Sequence, residues 1–195
     1  MDLYNRQEKL ILNKDQSVTI IGCGGIGYWV AKFAALSGID EIWLFDPDTF
    51  EDHNFNRIDL NPKFVGRNKA EITKAMVVNI RENATVYSFP YKYSEITAEK
   101  TNWIIDCTDN HESQIINQKI ANKLGSRYLK AGYDGENLSI HNSVAEWGEA
   151  EDGYIVIPSW VVPASIVAAL TIGKVMKYYD KEIITSIDKM YIFTR

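Results

Sequence analysis

The sequence predicts an α/β fold built on a mainly parallel sheet, with helices on both faces and mixed strands near the C-terminal part. Three observations predict it. Short apolar runs of strand length alternate with stretches of helical periodicity. The helical stretches, of about 12 residues, are long enough to carry the chain from one parallel strand to the next. Glycines fall where strands hand over to helices and where helices stop.

The elements follow in order. Val18 to Ile21 is an apolar run ending at Gly22, and Ile26 to Ser37 has helical spacing closed by Gly38. Glu41 to Phe45 reads as the second strand, ending at Asp46. A polar segment with Asn54, Asn56, Asn61, Pro62 and Gly66 reads as a loop, and Lys69 to Ile80 as a helix. Thr85 to Phe89 and Trp103 to Cys107 are further strands. Glu112 to Leu124 is a helix that stops at Gly125. Arg127 to Ala131 and Leu138 to Val144 are strands joined through the glycine-bearing turn Ala131-Gly-Tyr-Asp-Gly135. Ser165 to Tyr179 is the last long helix, and Met190 to Phe193 a terminal strand.

Composition narrows the class. With 195 residues, 46% of them hydrophobic and 12% aromatic, the chain can bury one core, and residues 1-195 read as a single domain with 1-16 as an N-terminal arm. The net charge of −5 argues against a general nucleic-acid binder. No Lys or Arg lies between Lys130 and Lys174, whereas Asp134, Glu136, Glu146, Glu149, Glu151 and Asp152 do; this acidic stretch reads as a solvated loop region or as a docking face. Two cysteines, Cys23 and Cys107, each at a predicted strand end, fit packing roles in a reducing cytoplasm. The N-terminus has no apolar core of the kind a secretory signal needs. The apolar stretch from Ile155 to Gly173 is broken by Pro158 and Pro163, so a membrane span is not expected.

The chemistry gathers at the predicted carboxyl ends of the strands, where ligands of parallel sheets bind. Gly22-x-Gly24-Gly25-x-Gly27 leads from the first strand into a helix, a loop that brings backbone N–H groups close to a phosphate. With Asp46 about twenty residues on, the same spacing satisfies the Rossmann dinucleotide fingerprint. An NAD-binding oxidoreductase or sensor is therefore one reading. Arg57, Lys69 and Asp109 favour another, because a triphosphate calls for more cations than a dinucleotide and an adjacent aspartate suits magnesium. No Gly-Lys-Ser/Thr follows the glycines, which excludes a P-loop enzyme. His53, His111 and His141 share no metal-ligand spacing.

Taken in order, Gly22-x-Gly24-Gly25-x-Gly27, Asp46-Pro-Asp48, Asn54-Phe-Asn-Arg57, Gly66-Arg-Asn-Lys69 and Asp106-Cys-Thr-Asp109-Asn110 resemble the ThiF/MoeB/HesA group of adenylating enzymes, bacterial relatives of the ubiquitin-activating enzymes. Tyr4-Asn-Arg6-Gln7 resembles the group's N-terminal motif, and Val162-Pro163 its late crossover element. The resemblance implies that Gly22, Gly24, Gly25 and Gly27 line the nucleotide and that Asp46 holds the ATP ribose, with Asp48 in the same acidic cluster. Asn54, Arg57 and Lys69 are implied phosphate contacts, Asp109 a magnesium ligand, and Arg6 a residue reaching the site of a neighbouring subunit in a homodimer. The implied reaction activates the C-terminal carboxylate of a ubiquitin-like or sulfur-carrier protein or peptide as an acyl-adenylate, releasing pyrophosphate, in the cytoplasm. The region from Asp134 to Asp152 is the expected face for an extended tail.

The sequence also departs from the group's pattern. Ile58 stands where Gln is usual and Gln114 where Arg is usual, which keeps open a catalytically weakened ThiF-fold scaffold. Without Cys-x-x-Cys pairs no zinc is expected, and with no cysteine after Cys107 thioester chemistry lacks its usual residue.

Overall fold

The computed structural model describes residues 4–144, apart from 8, 11 and 14, and residues 158–190, apart from 178 and 180. Seven strands form one sheet in the order β3-β2-β1-β4-β5-β6-β7: β1 (Ser17–Ile21), β2 (Glu41–Phe45), β3 (Thr85–Phe89), β4 (Trp103–Asp106), β5 (Arg127–Asp134), β6 (Asn137–His141) and β7 (Ile183–Ser186). The first five are parallel, whereas β6 and β7 pair antiparallel. The expected mainly parallel sheet with a mixed C-terminal part is thus observed.

The apolar residues decide which face each helix covers. Val18, Ile20, Ile42, Leu44, Ile105, Leu129 and Ala131 point to one side and form the main core with α1 (Gly25–Ser37), α2 (Lys69–Ile80) and α4 (Val161–Lys177). Alternate positions, including Ile21, Phe45, Ile104 and Tyr128, pack a second core with α3 (His111–Leu124). Beyond α3 that face is covered by aromatic rings, with Trp43 over Tyr87 at 4.3 Å and Phe45 over Phe89 at 4.5 Å between centroids.

Helix ends follow the sequence signals. Gly38, in the left-handed region at φ 92°, donates its N–H to Ala34 and Ala35 carbonyls and stops α1; Gly125 does the same for α3. Asn68 and Asn110 cap α2 and α3, their side chains accepting from Glu71 and Ser113 N–H.

Five expectations need correction. The Ala131–Gly135 stretch is not a turn, because β5 continues to Asp134 and the chain reverses at Gly135 and Glu136. The last long helix, expected from Ser165 to Tyr179, begins at Val161 and ends at Lys177; Pro163 is accommodated because first-turn N–H groups have no helical partner. Strand β4 ends at Asp106, and β6 at His141 rather than Val144. Met190 closes a short helix, α5 (Ile187–Met190), instead of opening a strand, while 191–193 lie outside the described residues; β7 was not anticipated. No described helix is long and apolar enough to cross a membrane.

Candidate functional site

The strand order reverses between β1 and β4, since the chain runs outward through β2 and β3 before returning. The loops after β1, β2, β4 and β5 converge beside that point. The loop after β1 is built so that a side chain would destroy it. Gly22 has φ +86°, and a β-carbon there would lie 3.2 Å from the Cys107 carbonyl oxygen. At Gly27 a β-carbon would lie 1.8 Å from the Gly22 oxygen, so the first turn of α1 sits directly on the loop. Gly24, by contrast, has nothing within 4 Å of that position and faces open space at the start of α1. The helix start is therefore accessible to an anion.

Asp46 braces this loop. Its carboxylate is 4% exposed and accepts the Cys23 N–H at 2.6 Å and the Asp48 N–H at 2.8 Å. Burial raises its pKa, and those two N–H bonds oppose the rise. Asn68 ties the far side, its amide donating to the Asp46 and Asp48 carbonyls at 2.9 and 3.0 Å. This fixes Lys69 at the first position of α2, where its ammonium lies 3.2 Å from the exposed Asp48 carboxylate. The pair is wet enough to be exchanged for a ligand anion at small cost.

Arg57 reaches the loop from the segment after β2. Its side chain lies across Gly25, where a β-carbon would come within 2.8 Å of Cδ, and its guanidinium donates to the His53 carbonyl at 2.7 Å and the Asn56 side chain at 3.0 Å. None of the ion pairs among the described residues includes Arg57. Trp29 Nε1 holds the Arg57 carbonyl at 2.7 Å, and the segment is anchored by Ile58, packed with Tyr28, Phe50 and Ile72. Ile58, 7% exposed, is thus a core residue supporting Arg57 from below. Asn54 is also buried, its side-chain oxygen accepting the Glu51 N–H at 3.0 Å, so it shapes the loop that carries Arg57.

The aspartate that ends β4 and the one that follows it differ completely. Asp106 is fully buried and accepts from Thr108 N–H (2.9 Å), Thr108 Oγ1 (2.6 Å), Asn117 Nδ2 (2.8 Å) and Tyr128 OH (2.9 Å). It is the knot that shapes the loop. Asp106→Ala strands those donors in the interior, and a loss of about 3 kcal/mol or more is expected in denaturant unfolding. Asp109 is exposed, and its carboxylate makes no hydrogen bond or ion pair among the described residues. Gln114 lies buried under the same loop, donating to the Thr108 carbonyl at 2.9 Å, its own oxygen without a hydrogen-bond partner among the described residues.

Three contributors were not anticipated from the sequence. Lys130 on β5 is 4% exposed, with its ammonium bonded to the Ala131 carbonyl at 2.7 Å; burial lowers its pKa, and Asp106, Cys107 and Asp109 oppose that. Tyr133 OH approaches Gly25 and bonds to Ser159 Oγ, while Ser159's carbonyl accepts from Asn56 Nδ2 at 2.8 Å, drawing residues 158–160 over the Arg57 segment. Cys23 is buried and Cys107 half-buried; burial pushes the Cys107 thiol up to about 12 and raises Cys23 as well, which suits packing rather than nucleophilic attack. Arg6 is exposed in a single 3-10 turn, Asn5–Gln7, and is not brought to the site of its own chain by any hydrogen bond or ion pair among the described residues. His141 pairs with Glu182 at 3.4 Å, away from His53 and its neighbour Glu51. Of the acidic stretch, residues 145–152 lie outside the described residues.

Residues 4–143 match the ThiF family. The chain belongs to the ThiF family. Among curated relatives, this ThiF-family chain is 25% identical over 166 residues to ubiquitin-like modifier-activating enzyme 5 of Oryza sativa subsp. japonica, covering 76% of this chain and 39% of that one. It therefore spans less than half of the relative's length. Among solved structures, E. coli MccB with ATP, and MccB with AMPCPP and MccA, each superpose with a TM-score of 0.77 at 22% identity, over 90% of this chain and 61% of theirs. Those likenesses show that the ThiF-family fold is shared.

Asp109 suits the implied magnesium. Among the described residues no group of three or more His, Cys, Asp and Glu side chains is placed to hold a metal ion, but magnesium at nucleotide sites needs only one or two carboxylates besides phosphate oxygens and water. The uncommitted Asp109 carboxylate fits that demand.

Proposed function

We propose that this protein is an ATP- and magnesium-dependent adenylyltransferase that activates the C-terminal carboxylate of a ubiquitin-like or sulfur-carrier protein, or of a peptide, as an acyl-adenylate. The observation that carries the reading is the convergence of Arg57 and Lys69 on the open start of α1, one in no ion pair among the described residues and the other paired with an exposed carboxylate. The relatives' names and the MccB complexes with ATP and AMPCPP support it.

In this reading the carboxylate attacks the α-phosphorus of ATP and pyrophosphate leaves. A terminal carboxylate, with a pKa of about 3.5, is ionised at neutral pH, so the protein needs no general base. Its task is to bring one anion to another and to absorb charge on the leaving group. The start of α1 receives phosphate oxygens at Gly24 and Gly25, Arg57 and Lys69 neutralise the triphosphate, and Asp46 holds the ribose while keeping Cys23 N–H fixed. Asp109 holds magnesium, which when bound neutralises phosphate charge. Arg6 serves the site of a second copy in a homodimer. The buried positions of Ile58 and Gln114, as supports of the Arg57 segment and the Thr108 loop, favour an active enzyme over the weakened scaffold.

Calorimetry distinguishes this from the dinucleotide reading. ATP is expected to bind with magnesium and to outcompete NAD; metal-independent binding of NAD in preference to ATP overturns the proposal. Asp109→Ala is expected to lower adenylation about 100-fold or more without loss of fold, by analogy with removal of other transition-state charge contacts. Full activity in that variant removes Asp109 from the metal.

A further inference from the structure

We infer that Lys130 is the anchor for the terminal carboxylate of the substrate, a role that rests on the adenylation reading above. Lys130 is a lysine 4% exposed whose ammonium donates to one backbone oxygen, Ala131, at 2.7 Å. None of the ion pairs among the described residues includes it, so two of its three N–H donors have no acceptor among them. A buried ammonium is costly unless paired. Its neighbour across the parallel ladder, Asp106, accepts four neutral donors; Asp106 and Asp109 supply negative charge nearby, but neither forms an ion pair with Lys130 among the described residues.

The ammonium stands beside a glycine of its own strand. Two residues on, Gly132 lacks the β-carbon that would sit 3.6 Å from Lys130 Nζ and 3.3 Å from Ser139 Oγ. Any side chain there would crowd Ser139 Oγ and stand against the ammonium. Arg57 and Lys69 serve the start of α1 from the segments after β2, whereas Lys130 stands on β5 beyond the loop that carries Asp109. Two sets of cations on opposite sides of that loop match two anions that must meet. From 131 to 173 the sequence has no other Lys or Arg, so Lys130 is the last cation before a long stretch that has none.

The test uses the full chain with magnesium and AMPCPP, probed by saturation-transfer NMR and calorimetry with acetyl-Ala-Gly-Gly and with the same peptide ending in a carboxamide. The wild type is expected to bind the acid and not the amide. Lys130→Met is expected to weaken the acid ten-fold or more while AMPCPP affinity changes less than two-fold, and Lys130→Arg to retain binding within about three-fold. Loss of AMPCPP affinity with peptide binding unchanged assigns Lys130 to phosphate and overturns the proposal. So does a lowered melting temperature with both affinities intact, which marks a structural lysine. Binding of AMPCPP without discrimination between acid and amide overturns the carboxylate anchor alone; failure of the wild type to bind AMPCPP strikes instead at the adenylation reading.

Discussion

Gly27→Ala is expected to prevent the native fold from forming, or to cost it more than about 4 kcal/mol in denaturant unfolding, a loss reserved for a few severe mechanisms. The cause is a single contact. A β-carbon would lie 1.8 Å from the Gly22 oxygen, well inside contact distance, and that oxygen cannot retreat. Gly22 is itself held by its N–H to the Phe45 carbonyl at 2.8 Å and by the adjacent Cys107 carbonyl. Gly24→Ala is the control, since nothing lies within 4 Å of its β-carbon. Its stability is expected to stay within about 1 kcal/mol of wild type, the usual range at open sites. Equal losses in the two variants would show that the loop is not held by close packing of α1.

Arg57→Ala and Lys69→Ala are each expected to lower adenylation by about 100- to 1,000-fold while leaving the fold intact, the range for removing one preorganised charge contact. Stability changes little because neither cation holds the protein together. Arg57 makes bonds to the His53 carbonyl and Asn56 side chain near the surface, and Lys69 pairs with an Asp48 carboxylate that is 66% exposed. An exposed pair of that kind contributes at most about 1 kcal/mol. Steady-state rates together with melting temperatures separate the effects. Lost activity accompanied by equal lost stability would make the two residues structural.

The fold was legible where local chemistry decides it. Strands Glu41–Phe45 and Thr85–Phe89 and helix Lys69–Ile80 fall where the pattern puts them, because a glycine, an aspartate or an asparagine cap marks nearly every boundary. Legibility fails where a distant partner decides. The strand Ile183–Ser186 has no clean alternation and exists by pairing with β6, more than forty residues earlier. Gly132 suggests a turn, yet it lies inside β5, paired with Ser139 of β6.

The candidate site divides in the same way. Gly22, Gly27, Asp46 and Lys69 announce themselves by spacing, and the structure brings their loops to one end of the sheet. Lys130 and Tyr133 do not. In Arg-Tyr-Leu-Lys-Ala a lysine reads as an ordinary polar position of a strand, and only the register that sets it opposite Asp106 reveals a buried ammonium. Ile58 and Gln114, departures from the family pattern in the sequence, lie buried in the structure, one in the apolar cluster beneath Arg57 and the other bonded to the Thr108 carbonyl.

The most direct measurement is exchange of labelled pyrophosphate into ATP by the purified protein with magnesium, in the presence of peptides and ubiquitin-like proteins that end in a free carboxylate. Exchange that depends on a free carboxylate, and disappears in Arg57→Ala and Lys69→Ala, is the predicted result. No exchange with any carboxylate partner, from protein that binds ATP and is fully folded, would contradict an adenylating enzyme and leave a nucleotide-binding scaffold.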